Sequence, residues 1–198
     1  MADMGTFRDA VTAWTAGGPS DPARELAAGL PVRTVVLLEG PSDVAAVDAL
    51  AANRGRDLAG EGVCVLAMGG AMGVGRYTRL LGPTGLGLRL TGLCDAGERD
   101  YYARGLEEFF VCSADLEDEL IRALGPPRVT DLVRTEGDLG ALETFLQQPA
   151  QRDRTPQQQL RRFLGTRRGR KIRYGHVLVE ALGPDDVPAP LHDLFASL

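Results

Sequence analysis

Acidic residues placed where apolar runs end are the groups in this sequence best suited to chemistry. The stretch "TVVLLEGPSDVAAVDALAA", Thr34–Ala52, opens as a buried strand and closes as an alanine-rich helix, with Glu39 and Asp43 flanking Gly40-Pro41-Ser42 at the turn. Asp95 ends a second apolar run, "LGLRLTGLCD", and Asp115 and Glu117 follow a third, "EFFVC". Each has a plain alternative use. Asp43 could simply favour a helix N-terminus, as could two of the four acids Asp115, Glu117, Asp118 and Glu119. Asp95, two residues before Gly97, could serve a turn. Glu39 is the hardest to assign this way, because a turn seldom needs glutamate. Carboxylates gathered in one place repel and raise one another's pKa, so a cation is needed. Hard oxygen donors without His or Cys suit Mg²⁺ or Mn²⁺. Two such ions can activate a water and stabilise the leaving oxygen of a phosphodiester.

The elements that must position these acids follow from periodicity. Short helices are expected over Phe7–Trp14 and Pro22–Ala28. Strands are expected at Thr34–Leu38, Gly62–Ala67, the run ending at Asp95, and Glu108–Cys112. Helices at Ser42–Asn53, Tyr77–Leu81, Arg99–Gly105 and Leu116–Leu124 separate or follow them. This rhythm predicts an α/β fold with a mainly parallel four-stranded sheet flanked by helices. After Gly125-Pro126-Pro127 the pattern turns helical, with helices at Leu139–Leu146, Gln157–Leu164 and Ile172–Leu182. The expected organisation is an N-terminal helical segment at 1–30, the sheet domain at 31–125 and a C-terminal helical extension at 126–198. In an open α/β sheet the ligand site lies beyond the carboxyl ends of the strands, so all the candidate acids point to one rim.

Charge adds a second feature. The net charge of −5 argues against indiscriminate nucleic-acid binding. Yet Arg154–Val179 contains no acid and holds Arg154, Arg161, Arg162, Arg167, Arg168, Arg170, Lys171 and Arg173. The segment is either a solvated helical face or a phosphate-facing patch. Lys171 is the only lysine in the chain: it is either chance in an arginine-rich background or the mark of a site that needs a compact point charge, which a guanidinium cannot imitate. Cys64, Cys94 and Cys112 lie in or beside apolar runs and read as buried hydrophobes, and His176 and His192 have no Cys/His cluster for zinc. "GGAMGVG", Gly69–Gly75, lacks a following Lys-Ser/Thr and reads as a tight turn, so no ATP site is expected. No signal pattern or 18-residue apolar run is present, so a cytoplasmic protein without membrane association is expected.

"LLEGPSD", the glycine pair of "AMGG" and "TGLCDAGE" together resemble a TOPRIM domain, the metal-binding α/β module of topoisomerases, primases and several nucleases. More narrowly, "EGPSD", "ADLEDELI" and "GRKIRYGHVLVEAL" resemble the TOPRIM half of OLD-family endonucleases, over roughly Val32 to Leu194. The resemblance implies that Glu39 matches the glutamate motif and Asp95 the first acid of the paired-aspartate motif. Asp115 and Glu117 match a second acidic cluster, and Lys171 a late lysine that completes a two-metal nuclease site. The sequence departs from the pattern at Gly97, where the paired motif has an acid; Glu98 stands one place later. OLD proteins also carry an ATPase domain in front, and no "GxxxxGK[ST]" occurs in these 198 residues, so a separate ATPase partner is expected.

The function this implies is divalent-metal-dependent phosphodiester hydrolysis of DNA or RNA by a one- or two-metal site. Glu39, Asp43 and Asp95 would hold one Mg²⁺ or Mn²⁺. Asp115 and Glu117, with Glu98, would hold or approach the second. Glu39 and Lys171 would carry catalysis, Lys171 at the scissile phosphate. Arg161, Arg162, Arg167, Arg168, Arg170 and Arg173 would track the nucleic-acid backbone. Two alternatives stand beside it: a non-catalytic metal- and nucleic-acid-binding module partnering an ATPase, and a TOPRIM ribonuclease or nucleotidyltransferase.

Overall fold

The computed structural model describes residues 3–198, without the side chain of Arg168. Four strands, β1 (Thr34–Leu38), β2 (Val63–Ala67), β3 (Arg89–Asp95) and β4 (Phe110–Cys112), form one sheet in the order β2-β1-β3-β4. Every pairing is parallel: Thr34 lies opposite both Val63 and Arg89, and Asp95 opposite Cys112. All five residues of β1 are buried, as its unbroken apolar run requires of a central strand covered on both faces.

Alternation along β1 assigns the two faces. Val35 and Leu37 belong to a core shared with α1 (Met4–Thr15), α2 (Asp21–Gly29), α4 (Val74–Leu81) and α5 (Arg99–Ala103), in which Phe7, Val11, Tyr77 and Tyr102 are buried. Val36 and Leu38 face the opposite core with α3 (Pro41–Asn53) and α6 (Leu116–Leu124). The helices after the sheet contribute to that second core as well: α7 (Pro126–Thr135), α8 (Leu139–Leu146), α9 (Pro156–Leu164), α10 (Arg168–Glu180) and α11 (Ala189–Ser197). Cys64, Cys94 and Cys112 are free and buried. No helix among the described residues is long and apolar enough to cross a membrane.

The chain leaves β1 toward β2 through α3, then returns through α4 to pair β3 on the other side of β1. The direction of winding therefore reverses between β1 and β3. In this class of sheet a crevice opens at that reversal, beyond the carboxyl ends of the two strands. Glu39 follows β1 and Asp95 ends β3, so the topology places these two acids on either side of it.

Helix α10 reaches the crevice by packing on α3. A Cβ built on Gly175 would lie 2.5 Å from the carbonyl oxygen of Ser42, so the two helices meet backbone to backbone at the first turn of α3. Lys171, one turn earlier on α10, shares that face. Gly175→Ala should cost about 1–3 kcal/mol, the scale of overpacking a filled core. Urea denaturation checks it, with Gly169→Ala as the control: nothing lies within 4 Å of a Cβ there, and that variant should be neutral or slightly stabilising.

Candidate metal centre and basic cleft

Glu39 is fixed by its own main chain. Its carbonyl oxygen accepts hydrogen bonds from the N–H groups of Gly69 and Gly70, both at 3.1 Å, which ties the turn after β2 to the end of β1. Gly69 has φ +77° and Gly70 φ +131°, and the second is a conformation essentially reserved for glycine. Gly69–Gly75 thus forms a tight turn that continues into α4. Pro41 opens α3 at a position where its missing N–H is no loss. Asp43 sits in that helix's first turn and accepts the Gly40 N–H at 2.9 Å through Oδ2.

Glu39, Asp43, Asp95 and Lys171 line one cleft of about 380 Å³, with Gly69 and Gly70 in its wall. Glu39 Oε2 is shielded from solvent and has no hydrogen-bond partner among the described residues. A buried carboxylate oxygen left unpaired is costly, and such groups are rare unless an ion or water completes them.

The second acidic group lies at the start of α6. Asp115 caps that helix, accepting the Asp118 N–H through Oδ1 at 2.8 Å, and its Oδ2 accepts Arg161 Nε at 2.6 Å. Glu117, with 5% of its side chain exposed, pairs with Lys171 Nζ at 3.2 Å. Asp118 and Glu119 serve structure: Asp118 accepts from the Gln157 amide, and Glu119 accepts the Ser113 N–H at 2.7 Å and pairs with Arg122. Asp115, Glu117, Arg154, Arg161, Arg162 and Lys171 line a second cleft of about 550 Å³. Lys171 borders both clefts and joins them.

The basic segment divides into two groups. Arg154, Arg161 and Arg162 face the second cleft, and Arg167 is exposed at the start of α10. Arg170 is buried on the ring of Phe163, donates to Thr166 Oγ1 at 2.6 Å, and pairs with Asp138. Arg173 pairs with Asp138 and Glu136, and Tyr174 donates to the same Asp138 carboxylate. These contacts anchor α10 on the loop before α8 and turn Arg170 and Arg173 away from the cleft. Charge spacing along the sequence could not separate them, because their partner lies more than thirty positions away. The side chain of Arg168 lies outside the described residues.

Burial and crowding disturb the acids together. Desolvation, then repulsion from Glu39, Asp115 and Asp43, pushes the Asp95 carboxyl up to about 7. Burial raises Glu117 to about 7 against the opposing pull of Lys171. Glu39 and Asp43 are raised mainly by burial, Glu39 also by Asp43 and Glu98. Burial pulls Lys171 down, but the attraction of Glu117 and Asp43 outweighs it and the net shift is upward.

The sign of the resulting pH effect is fixed. Unfolded, Asp95 titrates near 3.8; folded, near 7, so between those values the native state holds more protons and stability falls as pH rises. Asp95→Asn removes the effect. In EDTA the variant should gain stability relative to the parent chain on going from pH 5 to pH 8. Urea midpoints at the two pH values measure it, and a difference that does not change with pH contradicts the expectation.

The donor set is all oxygen and suits a hard divalent cation. Among the described residues, no three Asp, Glu, His or Cys side chains converge on one point as they stand. That geometry still fits Mg²⁺, which is commonly held by one or two carboxylates and completes its shell with water. Of the three acids lining this cleft, Asp43 is bonded to the Gly40 N–H, and Glu39 presents a shielded oxygen without a partner among the described residues.

The comparisons with known proteins agree with this architecture. Residues 32–96 match the family model "Overcoming lysogenization defect protein-like, TOPRIM domain". The C-terminal region of the Burkholderia pseudomallei OLD protein superposes with a TM-score of 0.62 at 19% identity, covering 84% of this chain and 96% of that one. The C-terminal region of the Xanthomonas campestris pv. campestris OLD protein gives a TM-score of 0.62 at 24% identity, covering 83% and 91%. Among curated proteins none matches the sequence significantly. The chain thus contains an OLD-like TOPRIM domain at residues 32–96, within the fold of the C-terminal region of OLD proteins.

Proposed function

We propose that the chain is a divalent-metal-dependent nuclease that hydrolyses phosphodiester bonds of DNA or RNA. The observation that carries this reading is Glu39: a desolvated carboxylate oxygen with no partner among the described residues, beside Asp43, Asp95 and a lysine, at the crevice where this fold binds ligands. Glu39, Asp43 and Asp95 would hold Mg²⁺ or Mn²⁺. Asp115 and Glu117 would hold or approach a second ion. Glu98, expected beside them, instead lines the neighbouring cavity with Glu39 and faces away from their cleft, because the short turn after β3 carries it toward α5. When bound, such ions supply a nucleophile from water and neutralise the leaving oxygen. The chain's own side chains do the positioning. Arg154, Arg161, Arg162 and Arg167 attract the sugar–phosphate backbone. Lys171 places a point charge between the backbone cleft and the acids, where charge develops on the phosphate. Nucleotide hydrolysis, in this reading, belongs to a separate ATPase partner.

The test is incubation of the purified chain with labelled single- and double-stranded DNA and RNA in Mg²⁺, Mn²⁺ or EDTA. Cleavage in metal and none in EDTA is expected. Binding without cleavage in any condition moves the assignment to a non-catalytic module. Two observations favour that second reading: both oxygens of Asp115 are engaged, and Gly97 stands where the paired-aspartate motif has an acid.

Gly97 can be tested directly. It is exposed, and a Cβ there meets nothing within 4 Å. Gly97→Asp should fold normally and lower the metal concentration needed for half-maximal cleavage by roughly tenfold, about 1.4 kcal/mol of added affinity. A metal titration of both chains checks it.

A further inference from the structure

We propose that the cavity between α1, the Gly69–Gly73 turn and α5 is a nucleobase site. It takes the base of a nucleotide adjacent to the phosphate held at the acidic rim, so the substrate must present an unpaired or flipped-out nucleotide there. The inference rests on the nuclease reading and specifies its substrate class.

The cavity measures about 580 Å³, within the roughly 300–1,000 Å³ range of small-molecule sites. It is continuous with the metal cleft, since Glu39, Gly69 and Gly70 line both. Among the described residues, the most exposed large apolar side chains are Met72 at 83%, Tyr101 at 39% and Leu146 at 36%. Two of these three, Met72 and Tyr101, lie on this one cavity. Exposed apolar side chains scattered singly need no explanation, but two beside a catalytic crevice do. An aromatic ring and a polarizable thioether are the groups that receive the face of a base. The inner wall is rigid: Tyr77 is buried, and its hydroxyl is held by Thr15 Oγ1 at 3.2 Å.

Charge selects which part of a nucleotide enters. On the Lys171 side, Arg154, Arg161 and Arg162 attract phosphates. On this side the charged groups are Glu39, Glu98 and Arg76, and Arg76 Nη1 is bonded to the Thr15 carbonyl oxygen at 2.6 Å. A polyanion is drawn to the first side, whereas the second offers it only one cation, already bonded to the Thr15 carbonyl oxygen. The uncharged base is the part of the chain this cavity accepts. A base paired inside a duplex cannot reach it without unstacking, which costs a few kcal/mol.

The experiment uses the full chain, in EDTA and in Ca²⁺, with single-stranded and fully paired oligonucleotides of one sequence carrying 2-aminopurine. Fluorescence anisotropy reports affinity and aminopurine emission reports stacking. Single strands should bind more tightly, with a change in aminopurine emission that the duplex lacks. Tyr101→Ala should weaken single-strand binding by roughly 5- to 100-fold, the scale of one lost base–aromatic stack. Met72→Ser should weaken it less, Tyr101→Phe should retain it, and duplex affinity should stay within about twofold throughout, since backbone cations carry it. Arg162→Ala should weaken both substrates alike. If Tyr101→Ala and Met72→Ser change neither substrate, or both equally, while Arg162→Ala still weakens binding, the nucleobase site is wrong and the nuclease reading survives. If the parent chain binds neither substrate, both are overturned.

Discussion

Lys171→Ala should lower cleavage by roughly 10² or more while leaving nucleic-acid affinity nearly unchanged. The rate term follows from removing one charge aimed at a developing oxyanion in a partly dry site. The affinity term follows from Arg154, Arg161 and Arg162, which remain in the same cleft. Lys171→Arg should rescue poorly, because a planar guanidinium does not replace a point charge. A structural role has its own signature here, since Lys171 neutralises the buried Glu117. Removing the lysine alone leaves that acid uncompensated and destabilises the chain. The double variant Lys171→Ala with Glu117→Gln removes the stranded charge. It should regain stability, which separates the stranded charge from the rate loss; cleavage stays low, since Glu117 is itself a proposed ligand of the second ion. If it regains both, Lys171 is only the partner of Glu117 and neither side chain is needed for cleavage. If Lys171→Ala weakens binding and cleavage in equal proportion, it is one more surface cation.

Glu39→Gln should abolish both cleavage and the stabilisation that divalent metal confers. A ligand that binds only the native state stabilises it by mass action, about 2.7 kcal/mol at a hundredfold excess over its dissociation constant. The parent chain should therefore melt higher in millimolar Mg²⁺ or Mn²⁺ than in EDTA, and the variant should not. In EDTA the ranking should reverse or vanish. Glu39 is buried beside other acids and titrates above its ordinary range, so an uncharged isostere relieves repulsion in the metal-free chain. Thermal melts of the two chains in both buffers give all four values. A parent chain that melts identically in metal and in EDTA contradicts the assignment of Glu39.

Much of the frame was legible because strand length and apolar alternation are local. β1 begins and ends where the sequence places it, at Thr34 and Leu38, and the parallel sheet follows from helices intervening between strands. Two helices were missed, α7 and α11, and the cause is the same in both. Pro126-Pro127 reads as a break, yet Pro126 begins α7; Pro188 likewise precedes α11, with Pro190 in its first turn. Proline lacks the N–H that a first turn cannot use, so it marks a start as readily as an end. Helix α10 begins at Arg168, earlier than the expected Ile172, so Lys171 is in its opening turn. Cations oppose the helix dipole at that end, which hides the start from propensity. The acids of the crevice were legible because Glu39 and Asp95 stand at the ends of apolar strand runs and Asp43 in the helix turn next along. The Arg161–Asp115 pair and the Asp138 anchor were not, since each joins groups more than thirty positions apart.

The contact of Gly175 with the Ser42 carbonyl sets the distance between the two halves of the site through main-chain atoms. Glu39 and Asp43 travel with one backbone, Lys171 with the other, and no side chain stands between them at the crossing. At this crossing it is the Ser42 carbonyl oxygen, not its side chain, that faces position 175. The separation of acid from lysine depends on a single atom that position 175 lacks. One added methyl group on α10 therefore resets the gauge of the site at the point where the two main chains touch.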